Sequence, residues 1–358
     1  MKFVVLFVFF FFTVSCQTDI DNAILLESYG FSEEQTAIFN KEALENAIQD
    51  AVYSSSQGEP KIIRVPCGVF QMENLNFEED NITICGCSKP LLSETKDSIL
   101  GGTIFEGASF RINNRKNIKL QKLGIDVSDF AKDAINSGVA SVGYQGLILE
   151  DVICLGSGEG HGVVFTSGDD NEIINSDFIK FNHGFAFRCS DSEASNVFIQ
   201  DCGVSGFIIK GVDSGGTVIE ASRNNVTSVE IKSSTFGGTD AGRGIVLNAL
   251  EANTICIDNK ISNVSMDSVN WGITLSGLGT VEYNQISNIR MTRPNFGGLI
   301  INNNADLNTF SNINMRNVNG DGFENQGTGL NNDIYQSKFS GSGTDVLGSW
   351  RNSQVENN

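Results

Sequence analysis

The sequence is poor in proline and in positive charge, and it has almost no histidine. Four prolines in 358 residues leave nearly every backbone N–H able to donate, which suits a chain made of hydrogen-bonded strands. The net charge of −19 argues against nucleic acid and anionic membrane surfaces as partners. The eight cysteines show no zinc-site spacing, so we predict no metal site and no cofactor.

The first residues have the pattern of a secretion signal. An apolar run extends from Phe3 to Phe12 behind a single cation, Lys2. The run is too short for a membrane span, which needs ~20 residues, so we predict a signal peptide over residues 1–16.

The end of this signal allows two interpretations. Val14-Ser15-Cys16 resembles a bacterial lipobox with Cys16 as the lipidated residue, although Thr13 replaces the usual aliphatic residue. Cleavage after Cys16 is the alternative. We predict an exported lipoprotein of the periplasm or outer-membrane surface, with residues 17–23 as its tether and the lipid as its only membrane contact. A secreted protein is the alternative.

The rest of the chain is an internal repeat. Short β-branched or aromatic strands follow a glycine and are separated by Gly, Asn, Asp and Ser turns. A period near 22 to 28 residues corresponds to one rung of a parallel solenoid, whose stacked rungs share a core. We predict an all-β, right-handed parallel β-helix over residues 24–345 and a C-terminal tail over 346–358. The marking glycines are Gly138, Gly162, Gly184, Gly206, Gly244, Gly272, Gly298 and Gly322.

A different pattern precedes the repeat. Ser32-Glu33-Glu34-Gln35 has the character of a capping box, and apolar residues then recur at helical spacing. Because the open end of a solenoid exposes strand edges and core, we predict that this amphipathic helix caps the N-terminal end. The apolar positions are Ile38, Phe39, Leu44, Ala47, Ile48 and Val52.

The order of these features resembles the pectin-lyase-like superfamily over about residues 24–345. The features are the helix, a strand ending in Pro66-Cys67-Gly68, the segment Ile82-Thr83-Ile84-Cys85-Gly86, and the rungs. The resemblance implies a secreted, carbohydrate-active β-helix protein. That superfamily holds polysaccharide lyases, glycoside hydrolases, uronate epimerases and phage tailspikes, so the activity stays open.

Both histidines of the chain directly precede a marking glycine. His161 and His183 are 22 residues apart, so we predict that they stack on neighbouring strands ~4.8 Å apart. At the same position we place Ser137 before them and Arg243 and Trp271 after them.

A pair of cations lies further along the same rungs. Arg188 and Lys210 occupy the fourth position after the glycine. An extended strand separates this position from the histidine position by ~16 Å, so we expect the two pairs to serve neighbouring sugar subsites.

These residue types suit β-elimination from a uronate. Imidazole exchanges protons near neutral pH, so His161 and His183 are candidates for base and acid. Arg188 and Lys210 would hold a carboxylate or sulfate, and Trp271 would stack on a sugar ring. The alternative interpretation is that these columns are ordinary stacks with a purely structural role.

Carboxylates offer weaker candidates. Asp169 and Asp170 would suit the acid/base chemistry of a hydrolase, yet they lie where a turn favours Asp. Glu159 would orient an imidazole or simply be solvated. Gly160-His161-Gly162 resembles a segment of polygalacturonases, but the acidic motifs of that family are missing from the preceding rung.

Three functions therefore remain open. The first is a carbon–oxygen lyase, or a dehydratase, that acts on a uronic-acid-containing and possibly sulfated algal polysaccharide or oligosaccharide. The second is a glycoside hydrolase that uses Asp169, Asp170 or Glu159. The third is a non-catalytic surface protein that binds acidic glycans.

Overall fold

The computed structural model describes residues 23–53, 61–113, 115–137, 145–166, 168–233, 242–327 and 331–357. The predicted signal peptide, Cys16 and the tether up to residue 22 lie outside the described residues. No helix within these ranges is long and apolar enough to cross a membrane.

The chain folds as a right-handed parallel β-helix, as predicted. Its largest sheet, here called sheet 1, bends around the solenoid, so one rung contributes one long strand or two shorter ones. Among the described residues sheet 1 has 18 strands: Ile24–Leu25, Lys61–Arg64, Gly68–Gln71, Ile82–Cys85, Thr103–Glu106, Lys116–Gln121, Leu123–Asp126, Gln145–Glu150, Ile153–Leu155, Glu172–Ile174, Asp177–Ile179, Glu193–Gln200, Asn225–Lys232, Lys260–Asp267, Gln285–Thr292, Thr309–Val318, Asp333–Gly341 and Asn352–Asn357.

Sheet 2 closes the opposite side of the solenoid and has 12 strands within the described ranges. Eleven of them are parallel, and Thr217–Ile219 is antiparallel at the end of one long strand. The parallel strands are Leu75–Phe77, Phe110–Ile112, Ile135–Ser137, His161–Thr166, His183–Arg188, Ser205–Ser214, Arg243–Ala249, Trp271–Gly277, Gly297–Ile301, Asp321–Asn325 and Val346–Gly348.

Smaller elements complete the rungs. Sheet 3 is a four-stranded parallel sheet on the later rungs, and a two-stranded antiparallel hairpin projects near the N-terminal end. The strands of sheet 3 are Ala221–Ser222, Ile255–Ile257, Thr280–Glu282 and Ala305–Asp306, and those of the hairpin are Leu91–Leu92 and Ile99–Leu100. A disulfide joins Cys67 and Cys87 beside this hairpin.

The core is a stack of apolar side chains that repeats from rung to rung. Phe185 lies over Phe207 with ring centroids 4.8 Å apart, and Phe165 and Phe187 lie 5.4 Å apart beside them. Because every rung needs its neighbour to bury this face, stacking supplies the stability that no single rung has.

The N-terminal helix, α1, spans Ala37–Tyr53 after a 3-10 turn at Leu26–Tyr29. Leu44, Ala47 and Ile48 are buried against the solenoid, as predicted, whereas Ile38 and Phe39 are 49% and 59% exposed. The predicted capping box at residues 32–35 is wrong, because the helix begins at Ala37. Residues 32–35 form a turn instead, with Gln35 N donating to Ser32 O.

The predicted C-terminal boundary at residue 345 is also wrong. Val346 pairs with Phe323 in sheet 2, and Asn352–Asn357 pairs with Asp333–Gly341 in sheet 1. Residues 346–357 therefore form a last rung. The pattern failed here because Asp345 occupies the position that a glycine marks on earlier rungs.

Candidate functional site

The candidate site lies on the outward face of sheet 2. In the strand His161–Thr166, Val163 and Phe165 are fully buried in the core, so Val164 and Thr166 face outward. A Cβ at Gly162 would lie 2.4 Å from both the Phe178 ring and the Gly184 carbonyl oxygen. Only glycine fits at this close approach, which explains why glycine follows the histidine.

The two histidines stack, as the repeat predicts. His161 pairs with His183 in the backbone register, and their ring centroids are 4.9 Å apart with an interplanar angle of 23°. Both side chains are partly buried.

Asp133 is a site residue that the sequence interpretation missed. Its Oδ1 lies 2.8 Å from His161 Nδ1, and the same oxygen accepts the His161 backbone N–H at 2.8 Å. Asn136 Nδ2 donates to the other carboxylate oxygen at 2.9 Å. Because an ionised carboxylate only accepts, Nδ1 of His161 carries a proton, and in the neutral form of this imidazole Nε2 presents its lone pair.

The position before His161 in the column therefore belongs to Asp133, and the expectation of Ser137 there is wrong. Ile135 pairs with Val163 and Ser137 with Phe165, which places residue 133 opposite His161. Burial alone would raise the pKa of Asp133, but the hydrogen bonds and charge of His161 together hold that pKa below its ordinary value.

Arg188 reaches back along the sheet to the histidines. Its Nη2 lies 3.4 Å from His161 Nε2, so the expected separation of Arg188 from the histidines is wrong. The long arginine side chain spans the distance that separates the Cα atoms. Arg188 Nε is buried and has no hydrogen-bond partner among the described residues.

Lys210 continues the cation pair on the next rung. Phe187 pairs with Ile209, so Lys210 follows at the same position as Arg188. Burial lowers the pKa of Lys210, and the charge of Arg188 lowers it further, while Glu251 opposes this effect. Burial also lowers the pKa of Arg188. The pair is thus two cations held in a partly desolvated place.

His183 differs from His161 in its surroundings. Its Nδ1 lies 2.7 Å from the hydroxyl of Ser205, a fully buried residue. Burial lowers the pKa of His183 to about 3, and the positive charges of His161, Arg188 and Lys210 contribute. His183 is therefore a neutral imidazole at physiological pH.

The column continues along the later rungs of sheet 2. Ser205 pairs with Arg243, and Arg243 with Trp271, as predicted. The indole of Trp271 lies over Gly297, where a Cβ would be 2.6 Å from the ring. This glycine is therefore required for the position of the tryptophan.

The other acidic candidates lie away from this column. Glu159 is exposed, and Asp133 makes the imidazole contact that Glu159 was considered for. Asp169 and Asp170 follow the opposite end of the His161–Thr166 strand, where Asp170 has a φ of 59° and its N donates to Asp191 O. Burial and the charges of Asp191 and Asp170 raise the pKa of Asp169. The turn interpretation fits this placement.

Known proteins resemble the chain in fold. The sequence matches no protein-family model and no curated protein. A mutant tailspike protein of E. coli bacteriophage HK620 in complex with a pentasaccharide has a TM-score of 0.64 at 8% identity, over 94% of this chain and 65% of that one. The catalytic domain of GH87 alpha-1,3-glucanase in complex with nigerose has a TM-score of 0.52 at 11% identity, over 95% and 66%.

A third structure is matched over nearly its whole length. The A-module of the Azotobacter vinelandii mannuronan C-5 epimerase AlgE4 has a TM-score of 0.50 at 9% identity, over 93% of this chain and 97% of that one. The chain spans slightly less than two thirds of the tailspike and glucanase chains. At these identities the likeness shows the shared parallel β-helix fold.

Proposed function

We propose that this protein is a carbohydrate-active enzyme, a carbon–oxygen lyase or dehydratase that performs β-elimination on a uronate-containing polysaccharide or oligosaccharide. One observation carries the proposal: the outward face of sheet 2 joins Asp133, His161 and Arg188 in one chain of contacts. The three neighbours act on or bind carbohydrates by name, which agrees with a glycan substrate.

His161 is the proposed base. Its Nε2 takes the proton from the carbon next to the sugar carboxylate, and the Asp133 carboxylate stabilises the imidazolium that forms. The electron pair of the broken C5–H bond forms the C4=C5 double bond, and the C4–O bond breaks. The imidazolium then returns its proton to the leaving oxygen. A sugar as leaving group makes the enzyme a lyase, and water makes it a dehydratase.

Arg188 and Lys210 are the proposed carboxylate partners. Removing the C5 proton places negative charge on the carboxylate oxygens, and two preorganised cations stabilise that charge. The substrate carboxylate would also satisfy the unpartnered Arg188 Nε. As Arg188 turns towards the substrate, it releases the lone pair of His161 Nε2 that it contacts in the free protein.

His183 contributes as a neutral group. With a pKa of about 3 it holds no imidazolium proton at neutral pH, so we assign the role of acid to the His161 imidazolium instead. When Nδ1 accepts from Ser205, Nε2–H points a neutral donor at the substrate, as uncharged imidazoles do in other proton-abstracting sites.

A C5 epimerase is the second candidate. It would abstract the same proton and return one to the opposite face without breaking the C4–O bond. The near-complete coverage of the AlgE4 A-module favours keeping it. A hydrolase based on Asp169, Asp170 or Glu159 has less support, because these residues have no contact with the histidine column among the described ranges. A purely glycan-binding protein stays the third candidate.

The products separate these candidates. The purified protein should be incubated with acidic plant and algal glycans and with their oligomers, while ultraviolet absorbance and reducing ends are followed together. We expect absorbance near the ultraviolet edge to rise as the conjugated double bond forms. New reducing ends without absorbance would contradict β-elimination and support hydrolysis. Exchange of solvent deuterium into C5 without either signal would indicate the epimerase.

A further inference from the structure

The later rungs of sheet 2 carry a second set of groups suited to a sugar. Trp271 lies three rungs beyond His183 in the same column, after Ser205 and Arg243. Its indole rests on Gly297, and the Phe296 ring lies 6.1 Å away. The indole is thus held in place from beneath and stays partly exposed.

Two buried polar atoms on these rungs have no hydrogen-bond partner within the described part of the chain. They are Thr274 Oγ1 and Asn248 Oδ1. Thr274, 4% exposed, lies between the core residues Ile273 and Leu275, so its side chain is on the outward face. Asn248 pairs with Ser276 in the register, and its Nδ2 donates to the Ser276 hydroxyl at 3.0 Å. It also pairs with Lys210, so Asn248 continues the cation column, whereas Thr274 lies on the same strand as Trp271.

Unsatisfied buried hydroxyls and carbonyls are uncommon because they lose hydrogen bonds to water on folding. Thr274 Oγ1 can both donate and accept, whereas Asn248 Oδ1 accepts only. The Thr274 hydroxyl and the aromatic face of Trp271 match a hydroxyl and the C–H face of a pyranose. Both residues are uncharged, in contrast with Arg188 and Lys210.

We propose that Trp271 and Thr274, on one strand of sheet 2, form a separate subsite for a neutral pyranose residue of the glycan. The inference rests on the proposed function for the identity of the ligand class. One rung, ~4.8 Å, is close to the length of one pyranose in an extended chain, so three rungs hold about three sugar steps. A glycan along the solenoid axis therefore reaches Trp271 while its uronate contacts Arg188.

Tryptophan fluorescence tests the subsite directly, because the chain has only two tryptophans. Trp350→Phe leaves Trp271 as the sole tryptophan reporter. Trp271→Phe leaves Trp350, which packs against Phe310 near the C-terminal end of the solenoid. Both variants should be titrated with maltotetraose, cellotetraose, laminaritetraose and mannotetraose. We expect a saturable emission change in Trp350→Phe with at least one of these sugars and none in Trp271→Phe.

Calorimetry supplies the matching affinity. Trp271→Ala should weaken binding of the best tetrasaccharide at least tenfold with an unchanged melting temperature, and Thr274→Val should weaken it severalfold. Absence of a saturable response in Trp350→Phe with all four sugars overturns the subsite, as does an equal response in both single-tryptophan variants.

The same experiment distinguishes this inference from the proposed reaction. His161→Ala in the Trp350→Phe background should retain the fluorescence response, since His161 lies four rungs from Trp271. Neutral-sugar binding without any elimination product would leave the subsite standing and remove the lyase. Elimination that does not depend on Trp271, together with no fluorescence response, would remove the subsite alone.

Discussion

Two stacks of like side chains run along this β-helix, and they differ in how their hydrogen bonds are satisfied. Inside the solenoid, five asparagines follow one another at the same turn, each fully buried. The amide of each bonds to the next: Asn259 Nδ2 donates to Asn284 Oδ1 at 2.9 Å, and Asn284 Nδ2 to Asn308 Oδ1 at 2.9 Å. The five are Asn224, Asn259, Asn284, Asn308 and Asn332.

The histidine stack on sheet 2 has partners of other kinds. His161 bonds to Asp133 on the preceding rung, and His183 to Ser205 on the following rung, while Arg188 Nε has no hydrogen-bond partner among the described residues. The asparagine stack also serves the main chain, since Asn259 Nδ2 donates to Ala221 O and Asn284 Nδ2 to Cys256 O. Stacking of like side chains therefore occurs both in the buried asparagine stack and at the candidate site. The two cations and the buried, unpartnered Nε of Arg188 are what distinguish the site.

The largest expected effect is on activity at His161. His161→Ala removes the proposed base and should lower kcat by about 10²–10⁴-fold while the melting temperature stays within the error of the measurement. Asp133→Asn keeps the shape but removes the charge, so its kcat should lie between those of wild type and His161→Ala.

The control for this test is Lys338→Ala, which removes a surface cation paired with Glu356 on sheet 1. It should keep full activity. If His161→Ala turns over substrate as fast as this control does, the histidine stack has the same purely structural role as the asparagine stack.

The reverse result is expected in the asparagine stack. Asn284→Ala removes the acceptor for Asn259 N and Nδ2 and leaves Cys256 O without this donor. Because buried groups lose their partners, we expect a loss of about 2–4 kcal/mol in the free energy of unfolding. Activity measured well below the melting temperature should be close to that of wild type.

Urea unfolding measures this loss, with Asn304→Ala as the matched variant. Asn304 is exposed, and its amide donates to Leu278 O, so its removal should cost less than about 1 kcal/mol. Equal losses in the two variants would mean that burial of the stack adds nothing to stability.

The repeat predicted much of this arrangement. The marking glycines gave the register of His161, His183, Arg243 and Trp271, because each rung must return its core residues to the same place. The glycine pattern did not predict the rungs on which another residue replaces the glycine. Ala134 occupies that position before Ile135, and Asp345 before Val346, so Asp133 and the last rung were both missed. The segment Asp133-Ala134-Ile135 held the signal, since alanine is the next smallest residue.

Side-chain direction was beyond the reach of periodicity. The repeat gives the spacing of Cα atoms, and on that basis Arg188 was placed away from the histidines. Only the folded chain shows the guanidinium lying back towards His161 Nε2. The burial that lowers the pKa of His183 likewise depends on neighbouring rungs and not on its own segment.

The smallest expected effect concerns the lowered pKa of His183. Burial lowers the pKa of His183 from 6.5 to about 3. Between these two pH values the unfolded chain therefore binds a proton at His183 that the folded chain does not bind. Stability conferred by the neutral histidine is therefore full above pH 6.5 and is lost as pH falls. Allowing for partial exposure, the loss between pH 7 and pH 4.5 should be about 2 kcal/mol.

Urea unfolding across this range should show a smaller loss for His183→Gln than for wild type, with Lys338→Gln following wild type. Parallel curves for all three proteins would mean that His183 takes up its proton as readily in the folded chain, and the histidine stack would then carry charge that the asparagine stack never does.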